Sequence, residues 1–268
     1  MNAPLHMLIR GQSPLIINIP HAGTSLPPGY AERLSEAARV LPDTDWHLPF
    51  LFHFAVYAGA TLMAATHSRY VIDLNRDPGG ESLYPGIDLP GLVADTTFAR
   101  DDIYRPGFAP DATQITERCQ RYWEPYHDTL AEQVAALHAR HGHAILLDAH
   151  SVRAEVPRRF AGRLPDLNLG CCEGRSCDPS LRQIAATALG ADPSYSLSVD
   201  GLFKGGYTTR NYGIPQMGLH ALHLEIVQAG YLDEANPQDW NPSRAEPLQA
   251  VLRRLVNALV NWRPASAP

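Results

Sequence analysis

The sequence predicts an α/β protein with a single domain of three layers, α/β/α, its helices packed on both faces of a mostly parallel or mixed central sheet. Two observations predict it. Short apolar runs, many of them rich in β-branched residues, occupy positions 15–21, 61–65, 70–74, 144–150 and 221–225. Bounded by Pro, Gly or polar residues, they have the length and composition of buried strands. Longer stretches with helical character alternate with them, as in a sheet covered on both sides.

Each element has its own warrant. Pro42-Asp43-Thr44-Asp45 leads into a helix over 46–57, with Thr44 or Asp45 as N-cap. Residues 79–111 are rich in Gly, Pro and Asp and read as a long functional loop. The clearest helix spans 113–140, where Trp123, Tyr126, Leu130, Val134 and Leu137 recur at three- and four-residue spacing. Gly142 ends it, and a strand starts at Ala144. Further helices are expected over 179–189 and 244–262. No composition shift marks a second domain, so 1–268 reads as one unit with its core at about 14–262 and a loose tail from Pro264.

Composition narrows the function. The net charge is −6 and the basic residues form no run, which argues against nucleic-acid or anionic-membrane partners. No apolar stretch approaches the length of a membrane span, and the N-terminus lacks the layout of a signal peptide. Cys119, Cys171, Cys172 and Cys177 are too few and too clustered for a disulfide framework. A cytoplasmic setting is expected.

Three of the apolar runs end on residues of metal-ligand or general-base type: His21, His150 and Glu225. Ligands of α/β folds gather beyond the carboxyl ends of parallel strands. A strand-end histidine can be a hydrogen-bonded structural residue, but two in matching positions with nearby carboxylates suit a divalent metal such as Zn²⁺. Asp148 lies two residues before His150, on the same side of the strand, where it can fix the imidazole tautomer. A third ligand has to come from elsewhere. Asp43 and Asp45 are the candidates, since one can cap the following helix while the other ligates. Glu225 ends an apolar strand, where a charge is costly unless it is functional or paired with an arginine such as Arg210.

Arginines point to the substrate. Arg69 and Arg76 flank the segment Tyr70-Val-Ile-Asp-Leu-Asn75, and Arg210 follows a Gly-rich turn. Guanidinium forks match carboxylates, so their convergence on a metal implies a small anionic substrate. His138, His141 and His143 are basic residues at a helix C-terminus, which suits the helix dipole without any metal. Ser151 has no Gly-x-Ser-x-Gly setting, and no nucleotide-binding glycine motif is present.

Taken in order, Pro20-His21-Ala-Gly, Asp43-Thr-Asp45-Trp-His, Ser68-Arg-Tyr-Val-Ile-Asp-Leu-Asn-Arg-Asp-Pro78, Asp148-Ala-His-Ser151, Leu164-Pro-Asp-Leu-Asn-Leu-Gly170, Phe203-Lys-Gly-Gly-Tyr-Thr-Thr-Arg210 and His220-Ala-Leu-His-Leu-Glu225 resemble the N-formylglutamate amidohydrolase (N-formylglutamate deformylase) family. The resemblance covers about residues 14–232. It implies a fold similar to zinc-dependent exopeptidases and hydrolysis of N-formyl-L-glutamate to formate and L-glutamate in histidine degradation. It also implies one divalent ion, Zn²⁺, on His21 and His150, with Glu225 as base. Asn75 and Arg76 would hold a substrate carboxylate, Arg69 the oxyanion and Arg210 a second carboxylate. Related peptidases use His-x-x-Glu where this chain has His21-Ala-Gly-Thr24, so Asp45 is the expected third ligand. The Gly170–Cys177 loop and His223 differ from the family pattern. Two rivals remain: a deacylase or peptidase for another small N-acyl amino acid, and a non-catalytic dicarboxylate-binding protein.

Overall fold

The computed structural model describes residues 4–80, 90–157 and 160–265. Seven strands form one mixed sheet: β1 (His6–Ile9), β2 (Leu15–Ile19), β3 (Thr61–Ala65), β4 (Ala144–Val152), β5 (Leu167–Gly170), β6 (Leu197–Val199) and β7 (Leu219–Val227). Their order is β1-β3-β2-β4-β7-β5-β6. The central four, β3, β2, β4 and β7, are mutually parallel, while β1 and β5 join them antiparallel. The short strands β1, β5 and β6 were not legible as strands in the sequence.

The helices are α1 (Glu36–Arg39), α2 (Leu48–Leu51), α3 (Phe54–Tyr57), α4 (Ala112–Arg118), α5 (Glu124–His141), α6 (Pro179–Leu189), α7 (Tyr207–Tyr212) and α8 (Pro242–Asn261). One face of the sheet, with Leu15, Ile17, Leu147 and Leu224, packs on α2, α3, α6 and α8. The other, with Ile16, Leu146 and Ala221, packs on α5 through Tyr126, Leu130 and Val134. Strand residues of opposite parity thus feed two cores, and the three-layer expectation is met. Among the described residues no helix is long and apolar enough to cross a membrane.

Local signals explain the helix ends. Asp178 and Asn241 cap α6 and α8 through their side chains, each with a proline at the start of the helix. Gly142, at φ 74°, closes α5 in the left-handed conformation.

Three expectations need correction. The helix expected over 46–57 is two single turns, α2 and α3, and neither Thr44 nor Asp45 caps it; His47, itself left-handed, occupies that position. Phe52 and Phe54 are both buried, and two residues so spaced fall on nearly opposite sides of a straight helix. Residues 113–140 are helical but interrupted by a π-turn at Cys119–Trp123. Residues 70–74 form no strand. Their backbone carbonyls are taken by side chains instead: Arg118 Nη1 donates to Val71 O at 3.0 Å, and His127 Nε2 pairs with Leu74 O at 2.8 Å. Trp123, which ends the π-turn, donates to Arg76 O at 3.1 Å. With its polar groups satisfied this way, the segment needs no sheet partner. Of the long loop, 81–89 lies outside the described residues, and 90–111 contains no strand or helix.

His127 pins the 69–76 segment to α5 through Nε2–H, and its burial favours the neutral imidazole. Burial pulls its pKa from the ordinary 6.5 down to about 4. The unfolded chain therefore binds a proton that the folded one refuses between those values, so stability is complete above about pH 6.5 and falls as pH drops towards 4. The loss is on the order of 3 kcal/mol. Urea denaturation at pH 7 and pH 4 should show a smaller drop for His127→Gln, which keeps a donor and an acceptor but does not titrate. An equal drop in both proteins would contradict this.

Candidate metal and hydrolytic site

Parallel register builds the site. Asn18 on β2 sits beside Asp148 on β4, which sits beside His223 on β7; one step further along, His150 sits beside Glu225. Alternation points all five side chains to the α5 face, at the carboxyl ends of the parallel strands. His21 lies just past β2. Asp45 follows it in space, its backbone N–H donating to His21 O at 3.0 Å.

His21 Nδ1 and His150 Nδ1 face each other at 3.1 Å. Asp45 Oδ2 lies 3.2 Å from the second and 3.7 Å from the first. All three residues are buried, and Asp45 Oδ1 has no hydrogen-bond partner among the described residues. Two imidazole nitrogens and one oxygen of Asp45 converge on one point while the other oxygen of that carboxylate is unsatisfied, a donor set that fits a divalent cation. The outward nitrogens are each held by a carboxylate: His21 Nε2 by Asp73 Oδ1 at 2.7 Å and His150 Nε2 by Asp148 Oδ2 at 2.9 Å. Such carboxylate–histidine pairs fix the tautomer that leaves Nδ1 free to ligate.

Asp148, His150 and His223 also cluster closely enough to suggest a metal. Here the residues fit poorly. The Asn75 amide is packed into that space, its Nδ2 3.0 Å from Asp148 Oδ2 and 2.9 Å from His150 Nε2. Thr208 N–H donates to Asn75 Oδ1 at 2.8 Å, which fixes the amide so that a donor, not an acceptor, faces the cluster.

Charge in the site is tightly coupled. Burial works against an ionised Asp73, but His21 and Arg69 outweigh it and hold the carboxyl well below its usual range. Burial also opposes an ionised Asp148, and His150 and His223 lower it regardless. The histidines diverge. Burial, with Arg69, lowers His21, whereas at His150 burial is overcome by Asp148 and Asp45, which raise it well above the ordinary value.

Around this point a cavity is lined by Arg69, Asn75, Arg76, Glu225 and the apolar side chains Phe98, Phe160 and Phe203. Arg69 is held by Asp73 at 2.7 Å and sits over the Phe98 ring at 4.8 Å. Arg76 donates through Nε to Pro90 O and through Nη1 to Asn75 O. Asn75 lines the cavity, yet its amide is spent on Asp148 and Thr208. Arg210 is on α7 and does not line the cavity; α7 begins beside the cavity-lining Gly206. Asp43 is separate from the cluster, its Oδ2 accepting from Tyr70 OH and Phe98 N. His138 and His141 pair with the carbonyls of Met217 and Gln12. All four cysteines are free.

Sequence reasoning missed three partners. Asp73 as the anchor of His21 had a signal, since a ligating imidazole needs an acceptor on its second nitrogen. Asn18 donates to Asp148 Oδ1 at 2.8 Å and accepts from Tyr126 OH at 2.6 Å; nothing within an apolar strand announces this. His223 stacks on His150 with ring centres 4.9 Å apart.

Gly206 tests the role of the Asn75 amide. A Cβ there would lie 2.3 Å from Asn75 Nδ2, so the amide has to move. If His21, Asp45 and His150 hold a divalent ion, Gly206→Ala is expected to weaken its binding about 10- to 100-fold while the fold persists. Equilibrium dialysis checks it, and unchanged affinity would show that the amide does not support the ligands.

The family model described as N-formylglutamate amidohydrolase matches residues 13–232. N-formylglutamate deformylase of Pseudomonas aeruginosa is 46% identical over 94% of this chain and 95% of its own, and that of Pseudomonas putida is 42% identical over 94% of each. The crystal structure of N-formylglutamate amidohydrolase from Ralstonia eutropha JMP134 superposes with a TM-score of 0.80 at 26% identity, covering 95% of this chain and 97% of that one. The chain belongs to the N-formylglutamate amidohydrolase family.

Proposed function

We propose that the protein hydrolyses N-formyl-L-glutamate to formate and L-glutamate, using one divalent ion, Zn²⁺, on His21, Asp45 and His150. The observation that carries the metal is the meeting of two Nδ1 atoms and the unsatisfied Asp45 carboxylate beside a cavity lined by Arg69, Arg76 and Glu225. Family membership supports the substrate. Bound there, such an ion supplies Lewis-acid polarisation of the formyl carbonyl and makes water more acidic.

The chain's own residues do the rest. Glu225 takes the proton of the attacking water and passes it to the departing amine nitrogen. Arg69, fixed by Asp73, is assigned the negative charge that develops on the formyl oxygen. Arg76 takes the α-carboxylate as a guanidinium fork, with Asn75 beside it. Arg210, one turn along α7 from Gly206, is assigned the side-chain carboxylate. We assign the reaction to histidine degradation in the cytoplasm, as the family resemblance implies; the free cysteines agree with a reducing setting.

A second reading, a deacylase for another N-acyl amino acid, is favoured by the apolar wall of Phe98, Phe160, Leu202 and Phe203. A panel of N-formyl and N-acetyl amino acids, assayed with Zn²⁺-loaded protein, separates the two. N-formyl-L-glutamate should lead in kcat/KM, and preference for an acetyl or non-acidic substrate would overturn the proposal. Glu225→Gln should keep its metal and lose about 10²- to 10⁴-fold in kcat. Full activity of that variant would remove Glu225 as the base.

A further inference from the structure

His223 is the one histidine lining the cavity that the reaction above does not use. It is buried, and neither ring nitrogen makes a hydrogen bond among the described residues. Leaving both nitrogens of a buried imidazole unmatched is costly, so the arrangement calls for a role. The ring is held between aromatic neighbours: His150 stacks on it, and Phe203 lies nearly parallel with ring centres 6.4 Å apart. Its Nδ1 faces Asp148 Oδ2 at 3.8 Å, and its Nε2 faces Glu225 Oε2 at 3.5 Å.

The two acceptors differ. Asp148 Oδ2 already has His150 Nε2 at 2.9 Å and Asn75 Nδ2 at 3.0 Å, and Oδ1 is taken by Asn18. A carboxylate oxygen with two donors has no further lone pair to offer. The Glu225 carboxylate, in contrast, faces only His223 among the donors of the described residues. With Asp148 spent, the N–H that finds an open acceptor is the one on Nε2, facing Glu225. We propose that His223 is a positioning residue for Glu225: Nε2–H holds one carboxylate oxygen of the base and leaves the other for the attacking water. The stack on His150 ties that orientation to the residues that hold the metal. The inference rests on Glu225 being the base of the proposed reaction.

A double-mutant cycle tests it. His223→Phe keeps the aromatic packing and removes the donor. It is expected to lower kcat at least tenfold, with KM within about threefold and zinc stoichiometry unchanged. In the Glu225→Gln background the same substitution should cost less than about twofold, because the residue it positions is already disabled. His223→Gln, which restores an N–H donor, should recover most of the lost kcat. Equal losses in both backgrounds, or loss of zinc, would overturn the proposal in favour of a packing role. A second measurement needs no substrate. In the ¹⁵N spectrum of histidine-labelled, Zn²⁺-loaded protein, the His223 signals, identified by their loss in His223→Phe or His223→Gln, should show a proton on Nε2. A ring protonated on Nδ1 alone would overturn the positioning role. Failure of the wild-type protein to hydrolyse N-formyl-L-glutamate would instead overturn the functional reading.

Discussion

Three buried carboxylates, Asp45, Asp73 and Asp148, meet two imidazoles and one guanidinium at the ends of β2 and β4, and the site depends on how that charge is balanced. Burying carboxylates is unfavourable unless each finds donors or a cation. Asp73 is satisfied by His21, Arg69 and the backbone N–H of Asn75. Asp148 is satisfied by Asn18, Asn75 and His150. Asp45 is not, since one of its oxygens has no partner among the described residues. The other oxygen of that carboxylate lies where both Nδ1 atoms face inward, and the proposed cation would balance the charge there.

Rigidity around this point comes from elements with no direct part in the chemistry. The parallel register of β2, β4 and β7 fixes the spacing of Asn18, Asp148, His223, His150 and Glu225. The opposite wall is the irregular 69–76 segment, which the sheet does not support. Arg118, Trp123 and His127 take its carbonyls, so α4, α5 and the π-turn between them set the position of Arg69, Asp73, Asn75 and Arg76. π-Turns recur where a helix has to re-aim side chains at a functional site, and Trp123 fits that pattern.

The layers and the site were legible in the sequence to different depths, for physical reasons. Strands buried on both faces are continuous apolar runs, so β2, β3, β4 and β7 stood out, and with them His21, His150 and Glu225. The short β1, β5 and β6 carry too few residues for a pattern. Residues 70–74 have the composition of a strand, but side chains some fifty residues away claim their carbonyls, which no local propensity registers. Asp43 and Asp45 were both candidates from the residues alone, and the family resemblance with the absence of a His-x-x-Glu motif pointed to Asp45. Asn18 was hidden because a single polar residue in an apolar run gives no sign of its partner. Gly206 is the same kind of case: its closeness to Asn75 exists only in three dimensions.

The central claim is that one cation binds between His21, Asp45 and His150, and not in the neighbouring cluster of Asp148, His150 and His223. Anomalous diffraction at the zinc edge from crystals of Zn²⁺-loaded protein tests it most directly. We predict one ion about 2.0–2.2 Å from His21 Nδ1, His150 Nδ1 and an Asp45 oxygen. An ion bound by His223 and Asp148, or a density-free site at saturating zinc, would contradict it.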